Sequence, residues 1–166
     1  MRQLALLVFA AVATAAISAG AQCPARVKAI PFRNVNRHQI VVGVSINHSA
    51  PYDFLLDTGT QMTVVDRAVA DDLHINTTGA ANVAGVSFRG DANFAQIDML
   101  VVGDRAVLNQ GVLVYDMSNV QAAGFAIHGL LGEDFLSQFN VFIDNAHHVL
   151  CLDSAPVMQA SVAGSN

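Results

Sequence analysis

The chain has 166 residues and a formal net charge of −5, from 8 Lys and Arg against 13 Asp and Glu, and 53% of its residues are hydrophobic. A length of this order suits one domain. The apolar content excludes a chain that is disordered throughout, because there is enough apolar surface to bury. The acidic balance excludes a nucleic-acid partner, since the neutralisation of phosphates needs a basic surface.

The first 21 residues have the three parts of a secretory signal peptide. Arg2 gives a positive start, the run 4–10 is apolar, and the segment ends on the small residues of 19–21. This pattern predicts a signal peptide over 1–21, cleaved after Ala21, and a secreted or periplasmic protein. The alternative is an uncleaved membrane anchor, because the apolar run nearly reaches the roughly 20 residues that span a bilayer. No other membrane contact is expected.

Two cysteines follow that segment, Cys23 and Cys151, near the two ends of the exported chain. An oxidising compartment favours a disulfide between them. The alternative is two free thiols, with Cys151 as a small buried side chain between Leu150 and Leu152. The sequence has neither a CxxC nor an HExxH motif, so no metal or other cofactor is predicted.

Short apolar runs, separated by single glycines and polar turns, predict an all-β protein. The predicted strands lie at 40–46, 52–56, 62–65, 83–88, 94–102, 111–115, 141–143 and 149–152. Asp66 is expected to cap a short helix through Leu73, because its carboxylate can accept N–H groups of the first turn. A hairpin turn is predicted over 89–92, and a second short helix over 133–139. Many short strands with two brief helices indicate a compact barrel or sandwich.

The residues that point to chemistry lie where the second predicted strand ends. Asp-Thr-Gly-Thr at 57–60 directly follows the apolar run 54–56, and Gly-Leu-Leu-Gly occupies 129–132. An Asp-Thr-Gly tripeptide alone is typical of an ordinary turn. Together, however, the two motifs resemble the retropepsin-like aspartic proteases, the single-lobed relatives of pepsin. The resemblance extends over about 40–152.

The resemblance implies a role for each residue of the 57–60 loop. Asp57 would supply a catalytic carboxylate, and Thr60 would hydrogen-bond the outer oxygen of that carboxylate. Thr58 would bond across to the same loop of a second copy. Gly59 would let the backbone approach closely, because glycine has no Cβ.

Two further segments follow from the resemblance. The segment packed beneath the active loop would be formed by Gly129, Leu130, Leu131 and Gly132, with the two leucines in the core. The flap, a hairpin that closes over substrate and excludes water, would fall between 80 and 96. Its tip would be at Gly85 or at Gly90.

A second Asp-Thr-Gly is absent from the sequence. The resemblance therefore implies two copies, with Asp57 of each facing its mate across a twofold axis. Members of the family join their copies through interleaved N- and C-terminal strands. Cys23 and Cys151 would lie near that seam, and a bridge within one chain or between chains remains open.

The expected protein is an all-β, retropepsin-like barrel that forms a homodimer and acts as a secreted aspartic endopeptidase on extended peptides. Acidic to mildly acidic pH would favour its activity. One alternative is a catalytically silent module that holds peptides or a partner protein in the same cleft; another is a protease whose target is itself or one dedicated partner. The expected divisions are the signal peptide at 1–21, an N-terminal segment at 22–39, the protease domain at 40–152 and a loose tail at 153–166.

Overall fold

The computed structural model describes residues 23–24, 26–36, 38–84, 89–122, 124 and 126–154, with the backbone alone for 81–84, 89–90 and 122. The predicted signal peptide, the flap candidate Gly85 and residues 155–166 lie outside these ranges. The described strands and helices are β1 (Ala29–Pro31), β2 (Arg33–Val35), β3 (Gln39–Ile46), β4 (Tyr52–Leu56), β5 (Val64–Asp66), α1 (Arg67–Asp72), β6 (Thr77–Ala84), β7 (Arg89–Val102), β8 (Arg105–Tyr115), α2 (Ser118–Ala122), β9 (Gly129–Leu131), α3 (Glu133–Leu136), β10 (Asn140–Asp144) and β11 (Val149–Asp153).

The strands form two sheets. The larger has the order β2-β3-β4-β9-β5-β8-β7-β6, and an additional pairing of β3 with β7 closes its middle part into a barrel. The smaller has the order β1-β11-β10. Neighbouring strands are antiparallel except for β4 with β9 and β5 with β8, which are parallel. The predicted all-β class is confirmed, and so is the closing hairpin, which β10 and β11 form. None of the helices in the described part of the chain has the length and hydropathy needed to cross a membrane.

Side-chain alternation divides the central strands between two apolar clusters. Phe54, Val65 and Leu131 are fully buried in the larger cluster, which fills the barrel. Val64 and Leu130, one residue before Val65 and Leu131, belong to a second, smaller cluster on the opposite face. Successive residues of a strand point to opposite faces of a sheet, so strands buried on both faces read as continuous apolar runs.

The predicted turn over 89–92 is wrong. These residues begin β7, which pairs with β6 from Ala84 opposite Arg89 onward. Residues 85–88, between the two strands, lie outside the described ranges. Ala92 is fully buried opposite Ala81, so a segment whose Gly and Asp suggested a turn follows the in-and-out alternation of a strand. Sheet pairing satisfies its backbone and overrides the local turn preference.

The helix expected after Asp66 is present as α1, but its capping interaction is not. Asp66 occupies the N-cap position without a side-chain hydrogen bond to α1. Its carboxylate instead accepts hydrogen bonds from distant residues: the backbone N–H of Met117 at 3.0 Å and the amide of Gln121 at 2.8 Å. These partners belong to the unpredicted α2 region, so this interaction could not be recognised from local spacing.

The N-terminal segment contributes strands that the sequence did not indicate. β1 pairs with β11 of the same chain, with Ala29 opposite Cys151, and β2 pairs with β3. A disulfide joins Cys23 to Cys151 within the chain, across a sequence separation of 128. The chain's own N-terminal strand therefore covers one side of β11.

We predict that the double variant Cys23→Ser/Cys151→Ser unfolds more easily than the parent protein. A bridge that closes a loop of this length restricts the unfolded chain and contributes about 3–5 kcal/mol of stability. Urea unfolding of the oxidised protein measures the difference. The parent protein treated with a reductant is the control and should match the variant; equal midpoints for the oxidised parent and the variant would contradict the prediction.

Candidate active site

The Asp57 loop begins where β4 ends and is anchored to the neighbouring strand. The backbone N–H of Asp57 donates to the carbonyl of Leu131 at 3.0 Å, which extends the pairing of β4 with β9 by one residue. The N–H of Thr60 returns to the carbonyl of Asp57 at 3.3 Å and closes a tight turn. The position of Asp57 is thus set by backbone hydrogen bonds on both sides.

Both carboxylate oxygens of Asp57 are held by the loop itself. The backbone N–H of Gly59 donates to Oδ1 at 2.9 Å, and the Thr60 hydroxyl donates to Oδ2 at 2.7 Å. The side chain is half-buried, and none of the ion pairs between described residues includes it. The Thr60 contact is the one that the resemblance implied for the outer oxygen.

Thr58 takes no part in the hydrogen bonds to the Asp57 carboxylate. The residue is exposed, and its hydroxyl forms no hydrogen bond with another residue in the described ranges. Gly59 is also exposed, and a Cβ there would approach Asp57 Oδ1 to 3.2 Å. The outer surface of the loop is therefore available for contact with another molecule.

β9 lies between β4 and β5 and supports the loop from below. It pairs in parallel with β4, with Leu56 opposite Leu131, and antiparallel with β5. A Cβ on Gly129 would lie 2.4 Å from the carbonyl oxygen of Val64 and 2.2 Å from the ring of Phe54. No side chain can fit there without separating the strands, and this is why the position needs glycine.

The rest of the 129–132 run is buried as the resemblance implied. Leu130 and Leu131 are 7% and 0% exposed, on opposite faces of β9. Gly132 packs against the backbone of the loop: a Cβ there would meet Met62 C at 2.7 Å and Thr63 N at 2.8 Å. The structure therefore brings this run and the Asp57 loop together, as the motif pair suggested.

A polar brace that the sequence analysis missed connects the loop to α3. Asp134 accepts the N–H of Thr63 at 2.9 Å and the Thr63 hydroxyl at 2.7 Å. That hydroxyl also accepts the N–H of Gly132 at 3.2 Å. Two backbone bonds reinforce the contact, from Glu133 N to Thr60 O at 2.8 Å and from Asp134 N to Gln61 O at 3.1 Å.

Asp134 lies in the first turn of α3, where carboxylates are favoured, so the sequence could have indicated a structural role for it. The sequence did not indicate its partner, Thr63. Thr63 lies 71 residues away from Asp134 and is fully buried, and neither property can be read from the local sequence.

Asp66 fastens a second segment beside the site, at 116–127. In addition to the bonds from Met117 and Gln121, its backbone N–H donates to the carbonyl of His128 at 2.8 Å. Gln121 also donates to the carbonyl of Ile127 at 3.3 Å. Both ends of the segment are tied to the end of β5, and Met117 and Ile127 are buried in the second apolar cluster, which also includes Leu130.

The pKa values of Asp116, Asp144 and Tyr52 are shifted by their surroundings. The backbone N–H of Ser118 lowers the pKa of Asp116, and the hydrogen bond from His147 lowers the pKa of Asp144. Burial raises the pKa of Tyr52, at the far end of β4. These shifts are explained by local turns and partial burial.

The remaining candidate residues lie elsewhere. Gly90 is within β7, opposite Val83, so it is not the tip of the β6–β7 hairpin, and the other tip candidate, Gly85, lies outside the described residues. The Cys23–Cys151 disulfide belongs to the smaller sheet. Over the described ranges, no three His, Cys, Asp or Glu side chains converge into an arrangement that could hold a metal ion.

In a comparison with protein families, one family model matches the part of the chain that includes the Asp57 loop. The model of the family described as gag-polyprotein putative aspartyl protease matches residues 42–138, more than half of the chain. The chain belongs to the retropepsin-like aspartic protease family. The matched residues include both the Asp57 loop and β9, and the resemblance inferred from the two motifs is confirmed.

A search of solved structures found similar chains. The chain is similar to a retropepsin-like aspartic protease from Rickettsia conorii, with 20% identity, a TM-score of 0.54, and coverage of 76% of this chain and 91% of that one. It is also similar to EIAV protease complexed with the inhibitor HBY-793, at 21% identity, TM-score 0.46 and coverage of 63% and 92%. The retroviral protease-like domain of Ddi1 from Leishmania major matches at 18% identity, TM-score 0.47 and coverage of 70% and 90%. No curated protein matches the chain.

We predict that Thr63→Val destabilises the retropepsin-like domain by about 1–3 kcal/mol, the usual penalty for a buried polar group that loses its partner. Valine keeps the volume, but the Gly132 N–H and the Asp134 carboxylate each lose a hydrogen bond. Urea unfolding measures the change. Thr77→Val, at an exposed position of β6, is the matched control and should leave the midpoint unchanged; equal effects of the two substitutions would refute the role of the brace.

Proposed function

We propose that the protein is a secreted aspartic endopeptidase in which Asp57 of two copies forms the catalytic pair. The observation that carries this proposal is the state of the Asp57 carboxylate. It is half-buried, it forms no ion pair among the described residues, and each oxygen is held by one donor of its own loop. A carboxylate held in this way is oriented and still accessible to water.

The chemistry needs two such groups. One carboxylate, as base, takes a proton from water while the water oxygen attacks the peptide carbonyl carbon; the other, as acid, gives its proton to the carbonyl oxygen. Collapse of the tetrahedral intermediate breaks the C–N bond as the first carboxylic acid passes its proton to the leaving amine nitrogen, while the second carboxylate takes a proton back from a hydroxyl of the intermediate, which becomes the carbonyl of the product acid. Like charges this close cannot both ionise, so the pair shares one proton and titrates as a unit. That requirement favours acidic to mildly acidic pH.

One copy provides half of this pair, because Asp-Thr-Gly occurs once in the sequence. A twofold axis would bring the second Asp57 opposite the first. The exposed hydroxyl of Thr58, which bonds to none of the described residues, supports this arrangement, since it would reach the facing loop of the second copy. The substrate would be a peptide in extended conformation, bound by strand-like hydrogen bonds beneath the β6–β7 hairpin.

Export of the protein is part of the proposal. The residue pattern of 1–21 supports a cleaved signal peptide. The disulfide between Cys23 and Cys151 supports the same conclusion independently, because disulfides persist in oxidising compartments.

The first test is Asp57→Asn. Asparagine keeps the size of the side chain but can neither take up nor share the proton, and we expect cleavage of a denatured protein substrate to fall about 10³-fold or more. Sedimentation should show an unchanged oligomeric state. Asp53→Asn is the matched control, because Asp53 lies on the same strand and pairs with Arg33 at 2.9 Å; it should retain activity. Full activity of Asp57→Asn would exclude the mechanism.

A mixing experiment tests whether the pair is shared. When equal amounts of parent protein and Asp57→Asn exchange subunits, about a quarter of the dimers carry two Asp57 residues. Activity should then fall to about a quarter of that of the parent protein at the same total concentration, whereas independent subunits would keep half. A parent protein that binds unfolded polypeptides without cleaving them at any pH would establish the binding module instead.

A further inference from the structure

Asp57 lies beside an apolar row that crosses the larger sheet. Each member of the row is opposite the next in the strand pairing, and from β4 to β7 the members are Leu55, Leu130, Val64, Leu113 and Phe94. Side chains two residues apart on a strand share a face. Asp57 extends the pairing of β4 by one residue, so it lies on the same face as Leu55. The row is therefore an apolar surface next to the candidate catalytic carboxylate.

An arm of the chain covers part of this row. The arm, residues 116–121, follows β8 and contains most of α2. Met117 is 3% exposed and belongs, with three members of the row, to the second apolar cluster, against which Val120 also packs. Phe94, at the β7 end of the row, is 42% exposed. The arm thus forms the border between a covered and an open part of the row.

Asp66 fastens the arm to β5 through a pair of hydrogen bonds, the Asp66 clasp. The N–H of Met117 donates to one carboxylate oxygen at 3.0 Å, and the amide of Gln121 donates to the other at 2.8 Å. The carboxylate that accepts both bonds belongs to a residue that is 3% exposed and that forms no ion pair with a described residue. A helix as short as α2 is not stable by itself. The position of the arm therefore depends on the clasp and on the burial of Met117.

The same residue connects the arm to the strand that supports the Asp57 loop. The backbone N–H of Asp66 donates to the carbonyl of His128, the residue before β9, at 2.8 Å. The carboxylate of Asp66, in contrast, is buried and accepts its hydrogen bonds from the arm. It is not accessible to a peptide, so any effect of this side chain on substrate must act through the arm.

We propose that Asp66 is a positioning residue for substrate binding: through Met117 and Gln121 it holds the arm as one wall of the groove in which a peptide approaches Asp57. This proposal rests on the proposed function and assigns the position of that wall to one buried side chain. A wall that is in place before the peptide arrives reduces the ordering that binding requires. Asp66 takes no part in the chemistry, so its loss weakens substrate binding and leaves turnover at saturation unchanged.

The test is Asp66→Asn, measured at about pH 6, where unperturbed carboxyl groups are ionised. Asparagine keeps the volume but replaces one acceptor oxygen by an NH2 group, which cannot accept a hydrogen bond from the arm. We expect KM for a peptide substrate to rise about 10-fold, the loss typical of one hydrogen bond to a charged group, while kcat stays within about twofold. Asp71→Asn, at an exposed position of α1, is the matched control and should change neither constant. An unchanged KM, or a loss confined to kcat, would overturn the proposal.

The amide of Gln121 allows a rescue that a merely structural role of Asp66 would not produce. Gln121→Glu alone places a second carboxylate against Asp66 and should also raise KM; it tests the clasp even where Asp66→Asn does not fold. In the double variant Asp66→Asn/Gln121→Glu, donor and acceptor are exchanged, so the bond between the two side chains can form again. We expect KM to return to within about threefold of the parent value. Additive effects of the two substitutions would overturn the proposal.

Hydrogen exchange gives a measurement that does not depend on cleavage. The backbone amides of the arm should exchange faster in Asp66→Asn and in Gln121→Glu than in the parent protein, and should return to the parent rate in the double variant. The amides of β3 should keep the parent rate throughout, which shows that the barrel stays folded. Unchanged exchange of the arm in both single variants would contradict the clasp.

The two proposals fail in different ways. A parent protein that binds an unfolded polypeptide without cleaving it would refute the proteolytic function, and a higher Kd of Asp66→Asn for that polypeptide would still support the wall. Loss of cleavage in Asp57→Asn, combined with the parent's KM in both variants of the clasp, would support the catalytic pair and refute the wall.

Discussion

The parallel pairing of β4 with β9 determines where Asp57 lies, and the other features of the site depend on it. The pairing is possible because Gly129 has no side chain to hold Val64 and Phe54 apart from β9. It places the Leu131 carbonyl within hydrogen-bonding distance of the N–H of Asp57. The loop that follows is then short enough for its own donors, at Gly59 and Thr60, to reach both carboxylate oxygens.

Two supports hold this pairing from outside. The brace between Thr63 and Asp134 fixes α3 beneath the loop, while Asp66 fastens the segment that leads into β9. Both are carboxylates that accept backbone N–H groups distant in sequence. The site is thus a half-exposed carboxylate surrounded by a well-bonded frame, in which rigidity comes from hydrogen bonds of the loop and from close backbone packing.

The sequence was sufficient for features that depend on local pattern. Apolar runs between glycines predicted the β class, and the two motifs identified the family, because the Asp57 loop and β9 each need particular residues over four consecutive positions. It was insufficient where a distant partner decides the outcome. Residues 89–92 have the composition of a turn, but their pairing with β6 makes them part of a strand. Asp66 is at the position of a helix cap, but its carboxylate accepts hydrogen bonds from Met117 and Gln121 instead. Similarly, β1 pairs with β11, which is distant in the sequence, and the local sequence does not indicate that pairing.

The hydrogen bonds to the Asp57 carboxylate come from its own loop. Gly59 and Thr60 belong to the same chain as the group they hold, so a single chain already has its carboxylate in position. The pairing of two copies that the proposed function requires would then need no prior rearrangement of the loop, and the rate at which activity recovers after dilution and reconcentration would follow the frequency of encounters between copies.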